Sequence, residues 1–328
     1  MLTELLGKVL KMKMLALRSG DLCLDVAPDV GGSIAGFYIA QKNGRFDLMR
    51  PAAPNGTTKP AALSMSMFPM VPFANCIRDN TFALDGKNYS VTPNIEGNRL
   101  NFHGSGWLHP WIVQEHCPNH AVLTLECSDG PYSFTATQEF HLSDKALKVA
   151  TSLTNNASNR MPFGMGQHPW FPRHGEVRVR FQSGSYLTCD EDGQTIHKEN
   201  SEQDFDFSQW REPQRVYQNR CYEDWAGLAE IYWPGAAVHL AISGGTVFKY
   251  LMFHVPASDP ETFCLEPQTN TPCGFDTLDQ FEIGPGIYLL KTDETLSGKI
   301  EFSISSFRNW SSKSMQNKVT AKTRNWSL

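Results

Sequence analysis

The sequence predicts an all-β protein, a large antiparallel β-sandwich that forms a single domain with few short helices. Three observations support this class. Apolar and polar residues alternate over many short segments, as in strands with one buried face. Clusters of Gly, Pro, Asn, Asp and Ser separate these segments and predict tight turns. Helical periodicity is scarce beyond the first ten residues.

The alternation is clearest in six segments, which we predict to be strands. In the segment 176–181, Val177 and Val179 alternate with Arg178 and Arg180, so one face is apolar and the other is charged. The same pattern occurs in residues 21–26, 121–127, 146–153, 237–242 and 299–305. No change of composition interrupts these segments, and all-β units of well over roughly 200 residues form single domains.

The two ends of the chain differ from this body. Apolar residues near the start are spaced as on one face of a short amphipathic helix: Leu2, Leu5, Leu6, Val9 and Leu10. Residues 1–20 are therefore expected to form an N-terminal helix or extension, 21–307 the sandwich, and the polar, basic residues 308–328 a loosely held tail. Inside the body we predict a Pro/Gly-rich loop over 50–62 and a polar surface excursion over 189–215.

Charge and apolar content exclude several classes of function. The formal charge is -5 and the pI is about 6.1, which gives no electrostatic footprint for nucleic acid. No segment approaches the roughly 18 apolar residues of a membrane helix, and lysines interrupt the N-terminal stretch where a signal peptide is apolar. We expect a small neutral substrate, no nucleic-acid or membrane partner, and a monomer or homodimer.

The eight cysteines are scattered, and no two have C-x-x-C spacing. A structural zinc site or a thioredoxin-type motif is therefore not expected. In a chain of this length such cysteines are typical of free thiols in a reducing compartment, which predicts a cytoplasmic protein.

Glu266 and His168 are polar residues in strongly apolar surroundings. Glu266 ends the apolar run 263–265, and burying an isolated carboxylate is costly unless it is paired, hydrogen-bonded or functional. Because Pro267 has no N–H to donate, we expect Glu266 to lie at a strand end and to face a loop or a cleft. His168 precedes a proline, which favours an extended conformation. The next two residues, Trp170 and Phe171, offer a flat apolar surface on which a sugar ring could stack.

Two further stretches place polar residues among apolar ones. His103 lies beside Gly104, where the backbone could approach a ligand closely. Asn75 and Arg78 lie in the stretch "PFANCIRDN". Each of these residues also has a structural interpretation, as a satisfied core histidine, a surface charge or a salt-bridge partner. No H-x-x-x-H or H-x-H spacing surrounds either histidine, so no metal site is expected.

These stretches, in their order, resemble the motifs of the aldose 1-epimerases, or galactose mutarotases. The stretches are "NCIRDNTFALDGKNY", "NFHGSGW", "GMGQHPWF" and "CLEPQTNTPCGFD", with weaker similarity in "FDFSQW" and in "GPGIYLLKTDETLSGKIEFSI". The resemblance spans roughly residues 31–304. It implies a galactose mutarotase-like β-sandwich with a sugar-binding cleft on one sheet, and it implies no cofactor.

The resemblance also implies roles for individual residues. Glu266 matches the general base and His168 the general acid, while His103 and Arg78 match residues that hold sugar hydroxyls. Asn75 belongs to the same stretch as Arg78.

Two positions depart from the family pattern. Cys76 stands where an arginine is common. For a later aspartate that grips the sugar, alignment gives Asn219, with Asp224 close by.

The expected reaction interconverts the α and β anomers of a free aldose. One group takes the proton of the C1 hydroxyl while the other protonates the ring oxygen, and the roles reverse on closure. We expect the carboxylate of Glu266 and the bound sugar to keep His168 protonated.

Two alternatives stay open. A hexose-6-phosphate 1-epimerase would need a cationic cluster, for which Arg78, Arg99 and Arg173 are available. A non-catalytic carbohydrate-binding or sensing protein could use the same fold.

Overall fold

The computed structural model describes residues 13–53, 60–189, 195–200, 205–272, 274–278 and 286–306. The strands of these residues are β1 (Leu15–Ser19), β2 (Leu22–Ala27), β3 (Ser33–Gln41), β4 (Gly44–Asp47), β5 (Met67–Met70), β6 (Cys76–Arg78), β7 (Thr81–Leu84), β8 (Lys87–Ser90), β9 (Leu100–Phe102), β10 (Ile112–Cys117), β11 (His120–Asp129), β12 (Tyr132–Leu142), β13 (Ala146–Asn155), β14 (Met161–Phe163), β15 (Gly166–Pro172), β16 (Arg178–Phe181), β17 (Ser185–Cys189), β18 (Thr195–Asn200), β19 (Gln218–Tyr222), β20 (Leu228–Trp233), β21 (Val238–Gly244), β22 (Tyr250–Val255), β23 (Thr262–Gln268), β24 (Tyr288–Leu290) and β25 (Thr295–Ser306). The helices described are short 3-10 helices: Ala61–Ser64, Gly106–Leu108, Pro234–Ala236 and Gly274–Thr277.

Two large antiparallel sheets dominate the fold. The first sheet has eleven strands in the order β1-β2-β3-β5-β15-β23-β22-β19-β17-β18, with β4 paired to β3. The second has eight strands in the order β10-β11-β12-β13-β25-β21-β20-β16. Three two-stranded sheets, β6-β9, β7-β8 and β14-β24, complete the described strands. The protein is therefore all-β, as the sequence predicted.

The two large sheets pack face to face because alternating residues on each bury their apolar side chains. One continuous core contains apolar residues of both sheets. Phe37 of β3 contacts Phe302 of β25 edge to face, with ring centroids 6.4 Å apart. Gln167 of β15 donates its amide hydrogens to Gln138 and Thr151 on the second sheet, at 3.1 and 3.2 Å. The arrangement is a β-sandwich.

All six predicted strands are present, as β2, β11, β13, β16, β21 and β25. Two expectations about irregular segments need correction. Residues 15–19, which we placed in an N-terminal extension, form β1 and pair with β2, because Leu15 and Leu17 alternate with exposed residues and bury against the core. The excursion predicted over 189–215 contains β18, which pairs with β17 and extends the first sheet.

Some predicted segments lie outside the described residues. These are the helix predicted within 1–12, the middle of the 50–62 loop and the 308–328 tail. Among the described residues, no helix has the length and apolar character needed to cross a bilayer.

Candidate active site

The first sheet separates two sets of side chains on β15 and β23. Phe171 and Leu265 point into the sandwich core and are completely buried. His168 and Glu266, at alternate positions of the same strands, point to the opposite face, which we call the outer face of the first sheet. A strand presents successive side chains to opposite faces, so this separation follows from the two-residue period.

The register of β15 and β23 brings the predicted acid and base together. The strands run antiparallel with Gly166 opposite Gln268, so His168 lies opposite Glu266 two residues further along. His168 Nε2 is 3.3 Å from Glu266 Oε1, and their side chains are only 8% and 3% exposed. Residues about a hundred positions apart in the sequence thus form one buried pair.

Pro267 does not end β23, contrary to our expectation. The strand continues to Gln268, and Pro267 lies opposite Leu251 in the ladder with β22. Proline is compatible with extended backbone and removes one donor without forcing the chain to turn. Glu266 therefore lies inside a strand rather than at its end.

An aromatic layer covers His168 on the outer face. The ring of Phe68, on β5, lies 4.6 Å from the His168 ring between centroids. Phe68 in turn stacks on Trp107 at 5.2 Å. This cover keeps bulk water away from His168, which strengthens the electrostatic interactions of the pair.

His103 and Asn75, both predicted sugar contacts, lie together beside the pair. The rings of His103 and His168 are perpendicular, with centroids 5.3 Å apart. The backbone N–H of His103 donates to the Asn75 carbonyl at 2.6 Å, and both residues have left-handed φ values, 60° and 57°. His103 Nδ1 and Asn75 Nδ2 are buried and make no hydrogen bond within the described part of the chain. Both atoms are available to a ligand.

At Gly104 we expected room for a ligand, and the structure shows a tight backbone contact. A Cβ at Gly104 would lie 2.5 Å from the Val71 carbonyl oxygen, and its φ is +67°. The glycine therefore permits close packing of this turn against Val71 rather than close approach of a ligand.

Four residues on neighbouring strands, each opposite the next, form a row across the outer face beside the aromatic layer. Trp170 lies opposite Cys264, Cys264 opposite His254, and His254 opposite Asn219. Asn219, one of the two predicted later contacts, is thus on the same face as the acid–base pair and two strands from β23. Trp170 Nε1 and His254 Nδ1 are buried and make no hydrogen bond to other described residues.

Trp170 and Phe171 do not form the open stacking surface that we predicted. Trp170 stacks on His168, with centroids 5.0 Å apart and an interplanar angle of 15°. The Arg50 guanidinium lies over the same indole, 4.1 Å from the centroid. Phe171 points into the core and packs on Phe263, because it is the next residue of a strand. Trp170 belongs to the wall of the site, and Phe171 belongs to the core.

Arg78 and Asp224 are two further residues predicted to contact the sugar. Arg78 forms an ion pair with Asp276 at one end of β6. Asp224 is exposed, in a turn after β19 with a φ of 52°. The structure describes no contact between His168 and either of these side chains, so their roles in sugar binding stay predictions.

The arginines that could have formed a phosphate site are engaged elsewhere. Arg99 pairs with Asp79 at 2.7 Å. Arg173 is almost completely buried and donates to the carbonyls of Pro260, Pro213 and Gln214. Each of these three arginines is thus engaged by an acidic residue or by backbone carbonyls.

Burial shifts the pKa values of the site toward neutral side chains. Burial lowers the pKa of His168 well below 6.5, and the charges of His103, His254 and Arg50 lower it further. Burial raises the pKa of Glu266 well above 4.5. The pKa falls to about 3 for His103 and about 4 for His254, in both cases chiefly through burial.

We expect Glu266 and the bound sugar together to keep His168 charged, whereas without a sugar the shifts run the other way. The carboxyl group is adjacent, but burial acts against a charge on either partner. In the free protein, burial acts toward a neutral imidazole and a protonated carboxyl. That form of the pair holds one titratable proton, as does the form with imidazolium and carboxylate.

Three residues of the site were not identified from the sequence. Cys264 and Glu266 are two residues apart on one strand, a spacing that places both on one face. The same alternation in "YLMFHV" would have placed His254 on the face away from the core, because its neighbour Phe253 points into the core. No sequence signal connects Arg50 with Trp170, because their contact depends on how β15 packs beside a distant loop.

The comparisons with known proteins agree with this fold and motif order. A family model for aldose 1-epimerase matches residues 13–303. The chain therefore belongs to the aldose 1-epimerase family. It is 33% identical over 270 residues to the uncharacterized protein YphB of Escherichia coli K12, covering 80% of this chain and 89% of that protein.

Solved structures show the same architecture. A candidate aldose 1-epimerase of Escherichia coli K12 superposes with a TM-score of 0.82 at 29% identity, covering 90% of this chain and 99% of that one. A GalM/aldose epimerase homologue from C. elegans gives 0.74 at 15% identity, covering 90% and 99%. The second similarity shows the fold alone.

Proposed function

We propose that this protein is an aldose 1-epimerase that interconverts the α and β anomers of a free aldose. The observation that supports this most directly is the buried contact between His168 Nε2 and Glu266 Oε1 at 3.3 Å. The two oxygens that exchange protons in a hemiacetal, the C1 hydroxyl and the ring oxygen, are bonded to the same carbon. An acid and a base must therefore lie side by side, as these two do.

Ring opening needs one proton on the pair and conserves it. Glu266 removes the proton of the C1 hydroxyl while His168 protonates the ring oxygen, and the C1–O5 bond breaks to give an aldehyde. After rotation about C1–C2, the protons return in the opposite sense and the ring closes on the other face of C1. No net charge enters or leaves the site, so a dry environment does not oppose the reaction.

Substrate binding supplies the protonation state that the free protein does not favour. The C1 hydroxyl donates a hydrogen bond to Glu266, which favours its carboxylate form and lowers its pKa. The proton of the pair then resides on His168, which faces the ring oxygen. His103, Asn75, His254 and Asn219 hold the remaining hydroxyls with polar atoms on the same face.

The substrate is proposed to be unphosphorylated. A phosphate needs donors such as bidentate arginines, and Arg78, Arg99 and Arg173 are each held by an acidic residue or by backbone carbonyls. A merely sugar-binding protein has no need for a buried acid–base pair. Six cysteines, Cys23, Cys76, Cys117, Cys127, Cys221 and Cys264, are free thiols, which supports a cytoplasmic location.

Exchange NMR or polarimetry on freshly dissolved aldoses tests the proposal. We expect anomer exchange well above the buffer rate for at least one free aldose, and a smaller effect on its 6-phosphate. Glu266→Gln, which keeps the shape of the side chain, should return the rate close to that of buffer.

Three outcomes would contradict the proposal. Buffer rates on every free aldose would reject catalysis, and a clear preference for the 6-phosphate would favour the hexose-6-phosphate alternative. Sugar binding that is detected by NMR line broadening, without faster anomer exchange, would favour a non-catalytic carbohydrate-binding protein.

A further inference from the structure

Cys264 places a third metal-ligating side chain beside the His168–Glu266 pair. One ligand-type atom from each of the three residues lies within 4.8 Å of the other two, and all three residues are buried. Cys264 and Glu266 are two residues apart on β23, and His168 comes from the neighbouring β15. Side chains from two paired strands are rigidly held, so this arrangement does not depend on loop order.

The distances fit a small tetrahedral metal ion. Nitrogen and oxygen ligands about 2.0–2.1 Å from tetrahedral zinc lie roughly 3.3–3.4 Å apart. His168 Nε2 and Glu266 Oε1 are already 3.3 Å apart. The Cys264 sulfur lies within 4.8 Å of one ligand-type atom of each partner, near enough to supply a third ligand with a Zn–S bond of about 2.3 Å.

The donor set favours a soft cation over a hard one. Thiolate and imidazole select Zn²⁺ and similar ions, whereas Mg²⁺ and Ca²⁺ prefer oxygen ligands. Thiolate and carboxylate together neutralise a divalent charge. Arg50, whose guanidinium lies over the neighbouring Trp170, opposes a cation and favours weak rather than permanent binding.

We propose that His168, Cys264 and Glu266 form a binding site for one soft divalent cation, with Zn²⁺ as the natural example, and that this cation inhibits by occupying the acid–base pair. The binding part stands on the geometry, and the inhibition part rests on the proposed function.

Titration with Co²⁺, a spectroscopic substitute for Zn²⁺, tests the site in the full-length protein. We expect a thiolate-to-cobalt charge-transfer band in the near ultraviolet at one equivalent, which Zn²⁺ removes by competition. Cys264→Ser should abolish this band and weaken Zn²⁺ binding at least about tenfold. Zn²⁺ should raise the apparent KM for the sugar in the wild-type protein.

Cys117→Ser is the matched control, because Cys117 is exposed beside Glu115 and could bind metal adventitiously. It should keep both the band and the inhibition. If Cys264→Ser does not fold, Glu266→Gln, which retains the thiol, should still weaken Co²⁺ binding.

Three results would overturn the proposal: no thiolate band, a band that disappears with Cys117 instead of Cys264, or faster turnover with Zn²⁺. The cobalt spectrum needs no turnover. If no sugar is a substrate, the band still decides the metal site independently of the epimerase proposal.

Discussion

Two histidine–glutamate pairs in this protein have similar distances and opposite environments. On the first sheet, His168 and Glu266 are 3.3 Å apart and buried. On the second sheet, His120 Nε2 lies 3.0 Å from Glu139, whose side chain is 53% exposed, and His120 Nδ1 lies 3.1 Å from Glu115. The same two residue types therefore make a candidate catalytic pair in one place and a surface ion pair in the other.

The pKa values of the two histidines move in opposite directions. Burial lowers the pKa of His120, but hydrogen bonds and charges from Glu139 and Glu115 outweigh it, and the net shift is upward. For His168, burial dominates and the pKa falls well below 6.5. The comparison shows that exposure to water, rather than the presence of a carboxylate, decides which form of a histidine is favoured.

The largest expected effect is on catalysis. His168→Gln should lower kcat/KM for anomer exchange by about 10²–10⁴-fold, because it removes one of two acid–base groups. His120→Gln should keep the wild-type rate, since its pair has no role in the reaction. Equal losses of kcat/KM in the two variants, measured by exchange NMR, would show that the buried pair has no greater role in the reaction than the exposed pair.

The next effect is on stability and has a defined pH dependence. The folded pKa of Glu266 is raised above the ordinary 4.5, so ionisation penalises the folded state. This penalty is absent below pH 4.5, appears as pH rises, and is complete above the folded pKa. Relative to the wild-type protein, Glu266→Gln should therefore have a higher free energy of unfolding at alkaline pH than in acid.

Urea unfolding at several pH values measures this gain. Glu139→Gln, at the exposed pair, is the matched control and should give no such increase. If Glu266→Gln raises the free energy of unfolding more in acid than in base, burial is not the cause of the raised pKa of Glu266.

The third prediction concerns protonation directly. In NMR titrations, the His120 ring should protonate with a midpoint above 6.5, while the His168 ring should stay neutral to well below 6.5. A His168 midpoint at or above that of His120 would mean that Glu266 outweighs burial in the free protein.

The smallest effect is expected at the exposed pair itself. His120→Ala should lower the free energy of unfolding by at most about 1 kcal/mol, as for other surface pairs. Because the folded pKa of His120 is raised, its contribution is fully present below 6.5 and disappears as pH rises through the folded value. In thermal unfolding, His120→Ala should be less stable than the wild-type protein near pH 5 and equally stable near pH 9.

Much of the fold and the two residues of the buried His168–Glu266 pair were predictable from the sequence. Alternation located β11, β13 and β21, because a strand's two faces are set by neighbours in the chain. His168 and Glu266 were recognised from motif order and from the cost of a polar residue in apolar surroundings. The same local logic failed for Pro267, since a proline in the sequence does not reveal whether a strand continues past it.

The all-β class, the family and the two residues of the buried pair could be read from the sequence. Only the tertiary structure shows that Arg50 covers Trp170, that β22 with His254 lies beside β23, and that burial acts against charge on both residues of the pair. The physical reason is the range of the interactions. Strand periodicity depends on adjacent residues, whereas desolvation and charge at one atom add up over every strand and loop that surrounds it.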